Sequence, residues 1–134
     1  MKLFAIIPFI ILFSRTIAPI DTNLTNTSWL FVKIENTAKN ETYLADTTCW
    51  ATLNFNNEGE YNGSSVCNYY FGSCIIKDDE NISISHPSVV KRVCQCQIIS
   101  LLFDNLYNVN QYTIRADTLT LSTDIDIKIT FKKK

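Results

Sequence analysis

The sequence predicts a mainly β (α+β) chain: a curved antiparallel sheet or small barrel of about seven or eight strands, with one helix packed across it. Three observations carry this. Most of the chain reads as short alternating apolar and polar segments separated by turn signals. The period changes to helical once, in "CQCQIISLLFDNLYNV" at residues 94–109. The resulting order of strands, one helix and more strands lacks the βαβ alternation of a parallel sheet.

Each element has its own reason. "SWLFVKI" sets Trp29 and Phe31 against Leu30, Val32 and Ile34, which predicts a strand buried on both faces. "CWATLNF" alternates Cys49, Ala51, Leu53 and Phe55 with Trp50, Thr52 and Asn54, and runs into a turn where Gly59 can take positive φ. "EYNGSSV" and "FGSCIIK" continue the sheet, and Asp78, Asp79 and Glu80 mark a turn. In "NISISH" Ile82 and Ile84 share one side. Ile98, Leu102, Leu106 and Val109 then recur at helical spacing, widened by Ile99 and Phe103. "QYTIRA", the Asp117 turn, "TLTLST" with Leu119 and Leu121 alike, and "DIKITFK" with Ile127, Ile129 and Phe131 in register close the list.

The N-terminus has the form of a secretory signal. Lys2 precedes "LFAIIPFIILF", an uncharged run too short to span a bilayer comfortably and interrupted by Pro8. Residues 1–18 are expected to be removed, with Thr16 and Ala18 as the small residues at the cut, leaving residues 19–134 as a single domain and no stable membrane anchor. The mature chain then carries ten basic and thirteen acidic side chains, a net charge of −3 with no basic stripe, which excludes nucleic acid as a partner. Lys132, Lys133 and Lys134 read as a solvated tail. Asn-x-Ser/Thr triplets at Asn23, Asn26, Asn40, Asn62 and Asn81 are candidate glycan acceptors, consistent with export to a eukaryotic lumen or the cell exterior.

"GSSVCNYYFGSC" raises the question of a reactive cysteine. A nucleophilic Cys67 needs a base, and His86 is the sole histidine. His86 lies between Ser85 and Pro87 at a strand end, where a surface role suffices, so no catalytic residue is assigned. Cys94 and Cys96 lack the spacing of a zinc knuckle, and an oxidising compartment favours disulfides, so neither metal nor cofactor is expected. Tyr69, Tyr70 and Phe71 read as core packing beside a corner, and Asp124 and Asp126 as one solvated strand face. Five cysteines in a small exported domain imply disulfides, with one thiol over that is either buried or free to link two chains. If residues 94–96 are helical, Cys94 and Cys96 point apart, so they need different partners.

In their order, "LTNTSWLFVKI", "TLNFNNEGEYNGSSVCNYYFGSC", "NISISHPSVVKRVC", the helix, "YTIRADTLTL" and "KITF" resemble the META domain, also called HslJ-like, over about residues 24–131. Val66 and Val90 stand where that family usually has glycine and threonine, and residues 96–103 lack the acidic residue common early in its helix. The resemblance implies a disulfide between Cys67 and Cys94, closing a loop of about 28 residues and stabilising by roughly 3 kcal/mol. Cys96 would then pair with Cys49 or Cys74. It also implies a non-enzymatic binding module tied to stress or virulence, with an unknown protein or small ligand as partner. A small-ligand carrier or protease-inhibitor-like module, and a Cys67–His86 enzyme, are the alternatives.

Overall fold

A computed structural model describes residues 22–90 and 95–134. The elements in chain order are α1 (Thr22–Thr25), β1 (Ser28–Asn36), β2 (Glu41–Leu44), β3 (Thr52–Phe55), β4 (Glu60–Ser64), β5 (Tyr69–Ile76), β6 (Ile82–Ile84), β7 (Ser88–Val89), α2 (Gln97–Leu106), β8 (Val109–Arg115), β9 (Thr118–Thr123) and β10 (Ile127–Lys133). The strands form one antiparallel sheet in the order β6, β5, β4, β3, β1, β10, β9, β8, with β2 added to β1 and β7 to β5. Its two ends meet. Asn81 bridges Gln111, the Tyr112 amide donates to the Glu80 carbonyl at 2.9 Å, and the Tyr112 hydroxyl donates to the Asp78 carbonyl at 2.9 Å. The result is a nearly closed eight-stranded barrel, the expected class.

The interior is filled. Trp29, Leu53, Leu102, Leu106, Leu119, Leu121, Ile129 and Phe131 are fully enclosed, and Tyr61, Tyr70 and Tyr112 bring their rings into the same core. Helix α2 lays Ile99, Leu102 and Leu106 on it, and Phe103 meets the Tyr70 ring at 4.7 Å. The helical stripe is offset from the expected one: Ile98 is half-buried and Val109 already opens β8. Cys96 is the extended residue before the helix, so the helical start considered for it does not form. Gly63 allows strands β3, β4 and β5 to close up. A Cβ there would lie 2.5 Å from the Tyr70 phenol carbon, and the Tyr70 hydroxyl donates to the Thr52 carbonyl across the same gap.

Strand β1 corrects the two-faced reading. Its pairing with β10 shifts between Phe31 and Lys33, a bulge at Val32 that reverses the alternation, so Trp29, Phe31 and Ile34 all face inward. Leu30 and Val32 stay half-buried on the outer face.

Four further expectations change. α1, β2 and β7 fall in segments where the sequence predicts no element; α1 is a single four-residue turn, β2 is exposed at all four positions, and β7 is only two residues long, so none has a buried periodicity to show. Of the aromatic run only Tyr70 is core, because alternation along β5 turns Tyr69 and Phe71 outward at 50% and 46% exposure. Asp124 and Asp126 sit in the β9–β10 turn, with Asp126 at φ 65°, and not on a strand. Lys132 and Lys133 belong to β10, and the Lys134 amide donates to the Ser28 carbonyl, so the lysine run is held in the sheet. The expected leader at residues 1–18 lies outside the described residues, as does Cys94.

Candidate functional site

A surface groove arises where β1 changes partner. β3 pairs with Ser28–Leu30, and β2 pairs with Lys33–Asn36 along the same edge of β1. Between them the sheet forks, held by Phe31 N–H to the Ala51 carbonyl and Ala45 N–H to the Val32 carbonyl, both 2.9 Å. The chain from Ala45 to Trp50 spans this fork. Beneath it opens a groove of about 430 Å³, floored by Leu30, Val32 and Lys132, and walled by Ala45, Asp46, Thr47 and Trp50. Its size falls in the range of small-ligand sites, and its lining is apolar apart from Lys132, Asp46 and Thr47. Lys132 lies opposite Leu30 in the β1–β10 register and has no carboxylate partner among the described residues.

Two local devices fix the wall. Asp46 Oδ1 accepts from the Thr48 hydroxyl at 2.7 Å and from the Thr48 and Cys49 amides at 2.8 Å each, an Asx turn that sets the loop. Those bonds, the Thr48 hydroxyl foremost, hold the Asp46 carboxyl below the usual carboxylate range. A disulfide between Cys49 and Cys96, with Cα atoms 5.6 Å apart, then ties the loop to the start of α2. Of the two partners left open for Cys96, the fold takes Cys49.

A depressed pKa adds stability that is complete above the unfolded value, about 3.9, and lost as pH falls through the folded one. The loop is therefore expected to loosen below roughly pH 4. The protection factors of the Thr48 and Cys49 amides, their exchange rates referred to the intrinsic rate at each pH, should fall on acidification in the wild type, while Asp46→Ala should give low protection at every pH. A pH-independent wild-type protection factor would count against this account. Asp78 behaves alike in the β5–β6 turn, its carboxyl lowered first by the Asn81 side chain.

The remaining singled-out residues are dispersed. Cys67 is disulfide-bonded, and the partner expected for it, Cys94, lies outside the described residues. His86 stacks on Tyr107 at 4.6 Å, with Nδ1 3.2 Å from the Pro87 carbonyl. Cys74 is the free thiol among the described residues. It is 4% exposed, its Sγ lies 3.6 Å from the Glu60 carbonyl, and burial pushes its pKa up to about 11. Val66 and Val90 line one small pocket beside Cys67, Asn68 and Tyr69. Asn23, Asn26 and Asn40 are exposed, Asn40 in the β1–β2 turn at φ 54°. Asn81 is half-buried, and its amide nitrogen gives 2.9 Å bonds to both Asp78 carboxylate oxygens. No group of His, Cys, Asp and Glu able to hold a metal occurs among the described residues, nor any helix long and apolar enough to cross a membrane.

The family model described as the META domain matches residues 22–134, the whole barrel with its helices. The chain belongs to the META domain family. This META domain is also similar in fold to solved structures. A protein from Burkholderia xenovorans, determined by NMR, superposes with a TM-score of 0.69 at 20% identity, covering 96% of this chain and 99% of that one. A DUF4847 family protein from Bacteroides vulgatus, a crystal structure, gives 0.60 at 14% identity, covering 84% and 95%. At such identities the likeness is one of architecture. No curated protein matches the chain.

The groove of this META domain is not legible in the sequence. The alternation of "CWATLNF" puts Trp50 on the polar side of its strand, and the lysine run reads as a tail. The available signal is the clash in "SWLFVKI", apolar on both sides, which a bulge resolves by leaving Leu30 and Val32 outside.

Proposed function

We propose that this META domain is an exported, non-enzymatic binding module, and that the groove at the β1 fork receives an apolar group of its ligand. The groove carries the reading: a concave, largely apolar surface whose wall is fixed by an Asx turn and a disulfide before any ligand arrives. Trp50 supplies an aromatic wall, and Lys132 offers a cation at the floor for an acidic or carbonyl-bearing group. The engaged sulfur of Cys67 and the protonated, buried thiol of Cys74 support a role without covalent chemistry. Because side chains fill the barrel interior, a carrier function is drawn to the outer groove. Linking two chains through Cys74 would require opening the core around it.

The test is retention of ligand from the medium into which the full chain is exported. Trp50→Ala and Leu30→Asp are expected to weaken capture of the co-purifying ligand by about tenfold, the loss that truncating an aromatic anchor brings, with circular dichroism unchanged. Equal capture by wild type and both variants would remove the groove as the binding site.

A further inference from the structure

Tyr69 and Phe71 form an exposed aromatic pair on the outer face of β5, ring centroids 6.2 Å apart. Aromatic surface of this kind in a small β protein calls for a cover. The register supplies one. Asn62 of β4 is the direct cross-strand partner of Phe71, and Ser64 that of Tyr69. Paired residues share a face, with Cβ atoms about 5 Å apart and diagonal neighbours about 7 Å away, so the Asn62 side chain stands beside Phe71 and within reach of Tyr69. Asn62, Gly63 and Ser64 make up one of the five acceptor triplets. On its other side, Asn54 Nδ2 donates to Asn62 Oδ1 at 3.4 Å, which orients the amide, while Asn62 Nδ2 donates to nothing among the described residues. Asn81 contrasts with it, its nitrogen occupied by both oxygens of Asp78.

We infer that Asn62 is an N-glycosylation site whose first sugar lies on Phe71 and covers the Tyr69–Phe71 pair. The bond formed joins Nδ2 to the sugar's anomeric carbon, displacing the lipid-linked diphosphate of an oligosaccharide donor, with the amide proton lost to base. The C–H face of the sugar then packs on the Phe71 ring, as apolar faces do on aromatic rings. The occupant of this patch is thus the chain's own glycan. The inference rests on passage through a glycosylating lumen, which belongs to the export reading above.

Glycopeptide mapping of the full chain, expressed with its own leader in a eukaryotic secretory host, tests it. Expected is an N-acetylhexosamine-bearing peptide containing Asn62, lost in Ser64→Ala, which destroys the triplet and keeps the asparagine. Enzymatic deglycosylation should lower the thermal midpoint of the wild type by roughly 4 °C, and that of Phe71→Ala by less than half as much. Exported protein carrying sugar at Asn40 but bare at Asn62 overturns the site alone. An occupied Asn62 with an equal shift in Phe71→Ala overturns the stacking. A bare Asn62 with a protein from the medium held through Phe71 assigns the patch to a partner and overturns the inference. Protein retained in the cell without sugar at any triplet sinks the export reading with it.

Discussion

Trp29→Ala is expected to lower the unfolding free energy by about 4 kcal/mol, the cost of removing a large aromatic from a closed core. The indole is fully enclosed, and its Nε1 donates to the Leu24 carbonyl at 3.2 Å, so one side chain both fills the barrel and fastens α1 across it. The substitution leaves a cavity between rigid strands, where β1 is held on one side by β3 and on the other by β10, so the walls cannot collapse inward. It also orphans a buried carbonyl. Trp29→Phe keeps most of the volume and loses the hydrogen bond, so it should cost markedly less. Urea denaturation measures both; a Trp29→Ala loss under about 1 kcal/mol would mean that the core at this end is not closed.

Removing the Cys49–Cys96 disulfide as Cys49→Ser with Cys96→Ser is expected to cost about 4 kcal/mol, the loop-entropy figure for its sequence separation of 47. The effect should be local before it is global. Cys49 follows the Asp46 turn and Cys96 precedes α2, so the loop over the groove and the first turn of the helix lose their shared anchor. Amides of residues 45–50 and the N-terminal turn of α2 should exchange faster, while the β1–β10–β9 ladder keeps its protection in hydrogen exchange mass spectrometry. Ligand capture should fall together with that protection, because the groove wall is then ordered only on binding. A double variant with wild-type stability and loop exchange would show that the Asx turn suffices.

How far the fold can be read depends on burial of one face. Leu53 and Phe55, Ile82 and Ile84, Leu119 and Leu121, and Ile127, Ile129 and Phe131 each occupy alternate positions of a strand with one side in the core, and all lie where the alternation puts them. β2, with every residue exposed, carries no such signal. Tyr69 and Phe71 mislead for a related reason: aromatic residues usually mark a core, yet the alternation on β5 allows only Tyr70 inside. The candidate site is the least legible part. It depends on the bulge at Val32, which pairing with β10 imposes, and on a loop held by a disulfide whose partners are 47 residues apart. The bulge leaves one local trace, the two-sided apolar run of "SWLFVKI", and the choice of Cys49 over Cys74 leaves none.

The order of residues settled what depends on near neighbours: family, strand-rich class, the longer helix α2 and most of its apolar face, and the turns at Asp78 and Asp117. Those follow from side-chain period and backbone preference, which act over a few residues. Closure of the barrel through Tyr112, the inward turn of Ile34, the fork at β1 and the meeting of Asn62 with Phe71 were decided only when distant strands paired. Register between strands is a long-range property, and a shift of one residue moves every side chain to the opposite face.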